Sequence, residues 1–242
     1  TLTLNGTTGS WNLAGGTITG GTVNLTSPAT LVPTAATSNR LVGVTVNGDL
    51  SIPSNGVVRI AGGLSVNGVV HLIGGSADLA FEGTQTLSSG TIAFESGGLI
   101  EMVSAGTLTV APGVTIRGGA GTIGGSRFWG AGMTLVNQGT IRADVSGQTL
   151  TISGAGFTND PNATSQVSSG ATLSVVSTNW SNASNIVVSG GTFNMGGTFT
   201  TTGIGSITNV GGTVNIIGTL NNAGATLTLN GTTGSWNLAG GT

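Results

Sequence analysis

Four of the chain's seven carboxylates fall within one short stretch, at Asp78, Glu82, Glu95 and Glu101. Two carboxyl groups held roughly 5 to 9.5 Å apart can act as acid and base, or acid and nucleophile, on a glycosidic bond. Residues on neighbouring turns of a stacked chain could reach that spacing. A second grouping, Arg127-Phe128-Trp129, sets a cation beside two aromatic rings in a glycine-rich segment, a combination suited to stacking on a sugar ring. The only histidine, His71, lies in Val69-Val70-His71-Leu72, where alternation turns it away from the core. With no cysteine and no second histidine it cannot build a zinc site. Gly74-Gly75-Ser76-Ala77-Asp78 lacks the third glycine of the calcium-binding nonapeptide. We therefore expect no enzymatic activity, no catalytic residue, no metal and no cofactor, with Arg127, Phe128 and Trp129 as the surface-contact candidates.

These side chains must be carried by strands. A tetrapeptide of the form Thr-apolar-polar-apolar recurs at Thr22, Thr107, Thr149, Thr172, Thr192, Thr213 and Thr226. Each copy has the two-residue period of a strand with one buried face. Gly-Gly and Asn-Gly pairs separate the copies and supply bends, and no segment shows helical spacing of apolar residues. Leu108, Val110, Leu150, Ile152, Leu173, Val175, Val214 and Ile216 are the expected core. Arg142 and Asp144, two apart in one strand, should share a face and pair. Three stretches break the pattern and are expected as excursions: residues 27–40, 118–133 and 157–169. Trp129 is expected to be the most exposed of the four tryptophans, with Trp11, Trp180 and Trp236 covering the core at corners and their indole N–H groups bonded to polar partners.

Composition narrows the classes. The chain holds five arginines, no lysine and seven Asp plus Glu in 242 residues, with a net charge of -2. No basic stripe exists to neutralise phosphates, so nucleic acid is not an expected partner. No apolar run is long enough to cross a bilayer as a helix. A 37% apolar fraction arranged in alternation argues for a packed core despite 46 glycines. Ranks of outward threonine, as in Thr107/Thr109 and Thr149/Thr151, suggest a flat ice-binding array. However, Asn24 and Ser174 interrupt the equivalent positions, and ordinary solvent-facing threonine is the expectation.

The strongest signal is repetition. Residues 1–17, Thr-Leu-Thr-Leu-Asn-Gly-Thr-Thr-Gly-Ser-Trp-Asn-Leu-Ala-Gly-Gly-Thr, return unchanged as residues 226–242, a period of 225. We expect residues 1–225 to be one unit and 226–242 the start of an identical one, stacked without a linker. Self-similar short strands favour a solenoid over an antiparallel sandwich. The missing six-residue repeat and the usual hand of parallel crossovers favour a right-handed parallel β-helix of about eleven coils. At the seam Leu227 and Leu229 are expected to stack on Val214 and Ile216.

The run Gly-Gly-Thr-Val-Asn-Leu at residues 20–25, with relatives at residues 190–195 and 211–216, resembles the repeats of giant bacterial surface proteins of the filamentous-haemagglutinin and autotransporter-passenger type. The resemblance implies an exported fibre, stalk or adhesin and transfers no catalytic residue. We accordingly expect an extracellular structural segment whose partners are neighbouring repeats, laterally bundled rods and surface polysaccharide. The alternative is a carbohydrate-binding or carbohydrate-cleaving β-helix.

Overall fold

The computed structural model describes residues 1–168 and 170–242. It is an all-β solenoid of about eleven turns, 54% strand and 2% helix, in which the paired strands are parallel. Each turn visits three faces in a fixed order. Face I begins with Leu2–Leu4, face II with Trp11–Leu13 and face III with Thr17–Thr19, after which Thr22–Leu25 returns to face I. Leu2 pairs with Val23, Trp11 with Leu31 and Thr17 with Arg40, each one turn on. The long strands Arg40–Asn47 and Val57–Asn67 bend through faces III and I in succession.

Alternation decides what enters the interior. In Thr149–Ile152 the two threonines face out while Leu150 and Ile152 are fully buried, and Leu173 and Val175 lie on them in register. All eight expected core residues are buried. The result is a column of aliphatic and phenyl groups continuous along the axis, because stacking in register places each inward residue on the one a turn before it. Corners require glycine where a side chain would collide: at Gly197 φ is +62° and a Cβ would strike the Ser177 carbonyl.

Asparagine ladders run beside this column. Asn137 donates to Asn159 at 2.8 Å and Asn159 donates to Asn182 at 2.7 Å, all three buried. Asn182 ends its ladder by donating to the carbonyls of Ile204 and Ser206. A second ladder, nearer solvent, links Asn24, Asn47 and Asn67. Each amide uses its oxygen toward one turn and its nitrogen toward the other, so a repeating side chain satisfies itself.

Several expectations need correction. Residues 27–40 are not an excursion: Leu31–Pro33 is the regular face II strand of its turn, and Leu31 is buried. Its prolines disguise a strand whose neighbours in the fold are ordinary. Residues 157–168 also continue the stack, through Gly156–Asn159 and Thr164–Ser168; Ser169, the end of that expected excursion, lies outside the described residues. Only the 118–133 stretch leaves the stack, in residues 124–132 after Gly121–Ile123. At the seam, Trp236 and Leu238, not Leu227 and Leu229, pair with Val214 and Ile216. Residues 226–229 fall earlier in the turn, before the chain has come round to that face.

Candidate functional site

The four clustered carboxylates separate into three settings. Glu82 faces outward on face III between Arg40 and Arg59, at 2.6 and 2.8 Å. Its hydrogen bonds to Arg40 hold the carboxyl below the usual range. Glu95 lies by the outer side of face II, where it meets His71 Nδ1 at 2.6 Å, a partner that sequence spacing left unassigned. Asp78 and Glu101 alone come together, on adjacent turns of face III, and both are fully buried although they point away from the core.

They are buried because residues 124–132 fold back over them. The Glu101 carboxylate accepts the Arg127 backbone N–H at 2.8 Å and those of Phe128 and Trp129 at 3.4 Å, a concave run of amides suited to an anion. The Arg127 guanidinium reaches across two further turns, donating to the Ser76 carbonyl and to Asn55 Oδ1 at 3.1 Å. The loop therefore ties four consecutive turns of face III along the axis. Arg127 lies 4.5 Å from the Phe128 ring, and Arg59 lies 5.7 Å from that of Trp129, within cation–π range.

No N–H or O–H of the described residues reaches either oxygen of Asp78. The Glu101 carboxyl is its acidic neighbour on the next turn, and a buried carboxyl beside another, with no donor to either of its oxygens, favours keeping its proton. Burial first, then the neighbouring Glu101, pushes the Asp78 carboxyl up to about 9, with Arg127 opposing. In the unfolded chain the same group releases its proton near pH 4. The stabilising effect is therefore complete below about pH 4 and is lost progressively as pH rises toward about 9, since the unfolded chain binds fewer protons over that window. We expect Tm to fall across this window in the parent chain. Asp78→Asn, which keeps the shape of the protonated carboxyl, should flatten the fall when Tm is measured by circular dichroism against pH. An equally steep fall in the variant would refute the raised carboxyl of Asp78.

Neither family models, curated proteins nor solved structures show a match to this chain. Geometry must carry the functional argument. Asp78 and Glu101 are sealed from solvent, Glu82 is engaged by Arg40 and Arg59, and Glu95 by His71, so the four do not converge on one open cleft. Among the described residues no three His, Cys, Asp or Glu side chains gather as metal ligands. No described helix is long and apolar enough to cross a membrane.

The aromatic candidates are redistributed. Phe128 is 44% exposed, whereas Trp129 is half-buried beneath Arg59; Trp11, inward-facing on the first turn, is 49% exposed. A residue that covers a carboxylate is itself covered on one side, which composition cannot reveal. Trp180 is buried against Phe193 and Phe199 and donates its indole N–H to Gly196 O at 2.8 Å. Arg142 does pair with Asp144, at 3.0 Å, and Arg117 from the preceding turn joins them at the same oxygen.

Proposed function

We propose that the chain is a structural segment of an extracellular fibre or stalk, built from tandem units and without enzymatic activity. The observation that supports this best is the continuous parallel ladder of faces I and III. It runs on both faces through about eleven turns, while the face II strands form two ladders that part between Leu31–Pro33 and Leu50–Ile52, and face III then accepts the renewed sequence, Trp236–Leu238, on Val214–Ile216. An axial column of apolar groups, ladders of amides and the Arg127 staple all resist bending and extension along one direction. The wall is threonine, serine and asparagine with no lysine. Such a surface offers few sites to trypsin-like proteases and depends little on salt, as a load-bearing element outside a cell requires.

Chains with two, three and four 225-residue units test the proposal. Strands stack about 4.8 Å apart, so electron microscopy should show rods that lengthen by roughly 50 Å per unit. Compact particles whose length does not follow copy number would overturn it.

A second role, contact with surface polysaccharide, rests on the exposed Phe128 ring at the tip of the loop, beside Arg127. Phe128→Ala should abolish retention of the chain on immobilised polysaccharide while leaving rod length unchanged. Retention equal to that of the parent would remove this role.

A further inference from the structure

The same seventeen residues occupy different faces in their two occurrences. In the first, Leu2–Leu4 lies on face I, Trp11–Leu13 on face II and Thr17–Thr19 on face III. In the second, residues 230–233 lie over Ser206–Val210, the last strand of face II, with the Asn209 N–H donating to the Thr232 carbonyl at 2.8 Å. Trp236–Leu238 then stacks on face III. Thr242 reaches face I, where its N–H meets the Gly218 carbonyl at 2.9 Å and its own carbonyl accepts from Leu220 at 2.7 Å. Trp236–Leu238 and Thr242 have each advanced by one face relative to Trp11–Leu13 and Thr17.

We infer that successive 225-residue units join with a rotation of one face, about a third of a turn, so that the joining surface of one unit fits a further copy only in this rotated setting. This rests on the tandem-fibre reading above. Ten turns separate Leu2–Leu4 from Thr219–Asn221 on face I, and the renewed strand Trp236–Leu238 lies one face beyond that of Trp11–Leu13. The period is thus about ten and one-third turns, or about 22 residues per turn.

Two features of the seam favour the rotated setting. First, side-chain facing is preserved: Trp11 and Leu13 pair with Leu31 and Pro33, and Trp236 and Leu238 with Val214 and Ile216, so Trp and Leu point inward on either face. Second, the renewed asparagine extends a ladder already present. Asn215 donates to Asn194 at 2.8 Å and Asn237 donates to Asn215 at 2.9 Å. Seating Leu227 and Leu229 on Val214 and Ile216 instead would put Thr228 on Asn215 and end that ladder. In a long array the loops at residues 124–132 would then point to three sides in turn, returning to the same side at every third unit.

The chain has no cysteine, so engineered thiol pairs read the register directly. Neighbouring parallel strands bring Cα atoms about 4.8 Å apart, close enough for a disulfide. Asn215→Cys with Asn237→Cys should crosslink under mild oxidation, and Asn215→Cys with Thr228→Cys should not. Asn194→Cys with Asn215→Cys, in register within one unit, reports the solenoid itself. If that pair links while the 215/237 pair does not, the rotation is overturned and the fibre reading stands. If it fails to link, the solenoid and everything built on it fall. In a three-unit chain, gold attached through Ser126→Cys on the exposed loop should appear on three different sides of the rod. Labels all on one side would contradict the rotation, whereas compact particles would contradict the fibre.

Discussion

Leu150→Asp should lower the stability of the folded chain by several kcal/mol, on the order of 4 kcal/mol, whereas Thr149→Asp, one residue away, should change it by less than about 0.5 kcal/mol. Leu150 is fully buried beneath Leu173 in the axial column, and Thr149 is exposed. A carboxylate placed in that column finds only aliphatic neighbours, so it must remain unpaired or take up a proton, and either outcome costs free energy. Because each turn touches only its neighbours, the damage should be local, separating the stack into two shorter pieces in place of a uniform softening. Urea unfolding at neutral pH measures both variants. Equal shifts of midpoint would contradict the assigned facing of Thr149–Ile152 and, with it, the alternation that defines the core.

Asn159→Asp should be nearly as costly, about 2 to 4 kcal/mol, despite changing a single atom group. The Asn159 oxygen accepts from Asn137 at 2.8 Å and from the Ser165 hydroxyl at 2.9 Å, and its nitrogen donates to the Asn182 oxygen at 2.7 Å. Exchanging that nitrogen for an oxygen brings two acceptors together where water cannot intervene. The sign of the pH dependence separates this cause from a packing defect. A buried carboxyl holds its proton more tightly than an unfolded one, so the deficit should shrink as pH falls toward about 4. Asn47→Asp, in the ladder nearer solvent, should cost under about 1 kcal/mol because water can replace the lost bond. Calorimetry on the two variants at several pH values gives the comparison. A deficit at Asn159 that does not vary with pH would assign the loss to shape.

Part of this protein is legible in its residues alone. Alternation in Thr149–Ile152 and its six relatives specifies which side chains are inside, because a two-residue period has only two faces and only one of them is apolar. Seventeen identical residues at a distance of 225 specify the same short strand twice, as Trp11–Leu13 and Trp236–Leu238. What no local pattern contains is the distance around the turn. Asp78 and Glu101 come together on adjacent turns while Glu95, between them in sequence, meets His71 on another face, because the turn length decides which residues become neighbours. Burial of the acid pair depends on residues 124–132, whose Gly-rich sequence has no period and is held by contacts to Asn55, Ser76 and Glu101 on earlier turns. Residues 27–40 show the same limit in reverse: prolines and a missing alternation read as a loop, yet the turns on either side hold Leu31–Pro33 in place. The seam is the plainest instance. Identical residues lie on different faces at their two occurrences because a strand's facing is a local property, whereas its face is the sum of every turn before it.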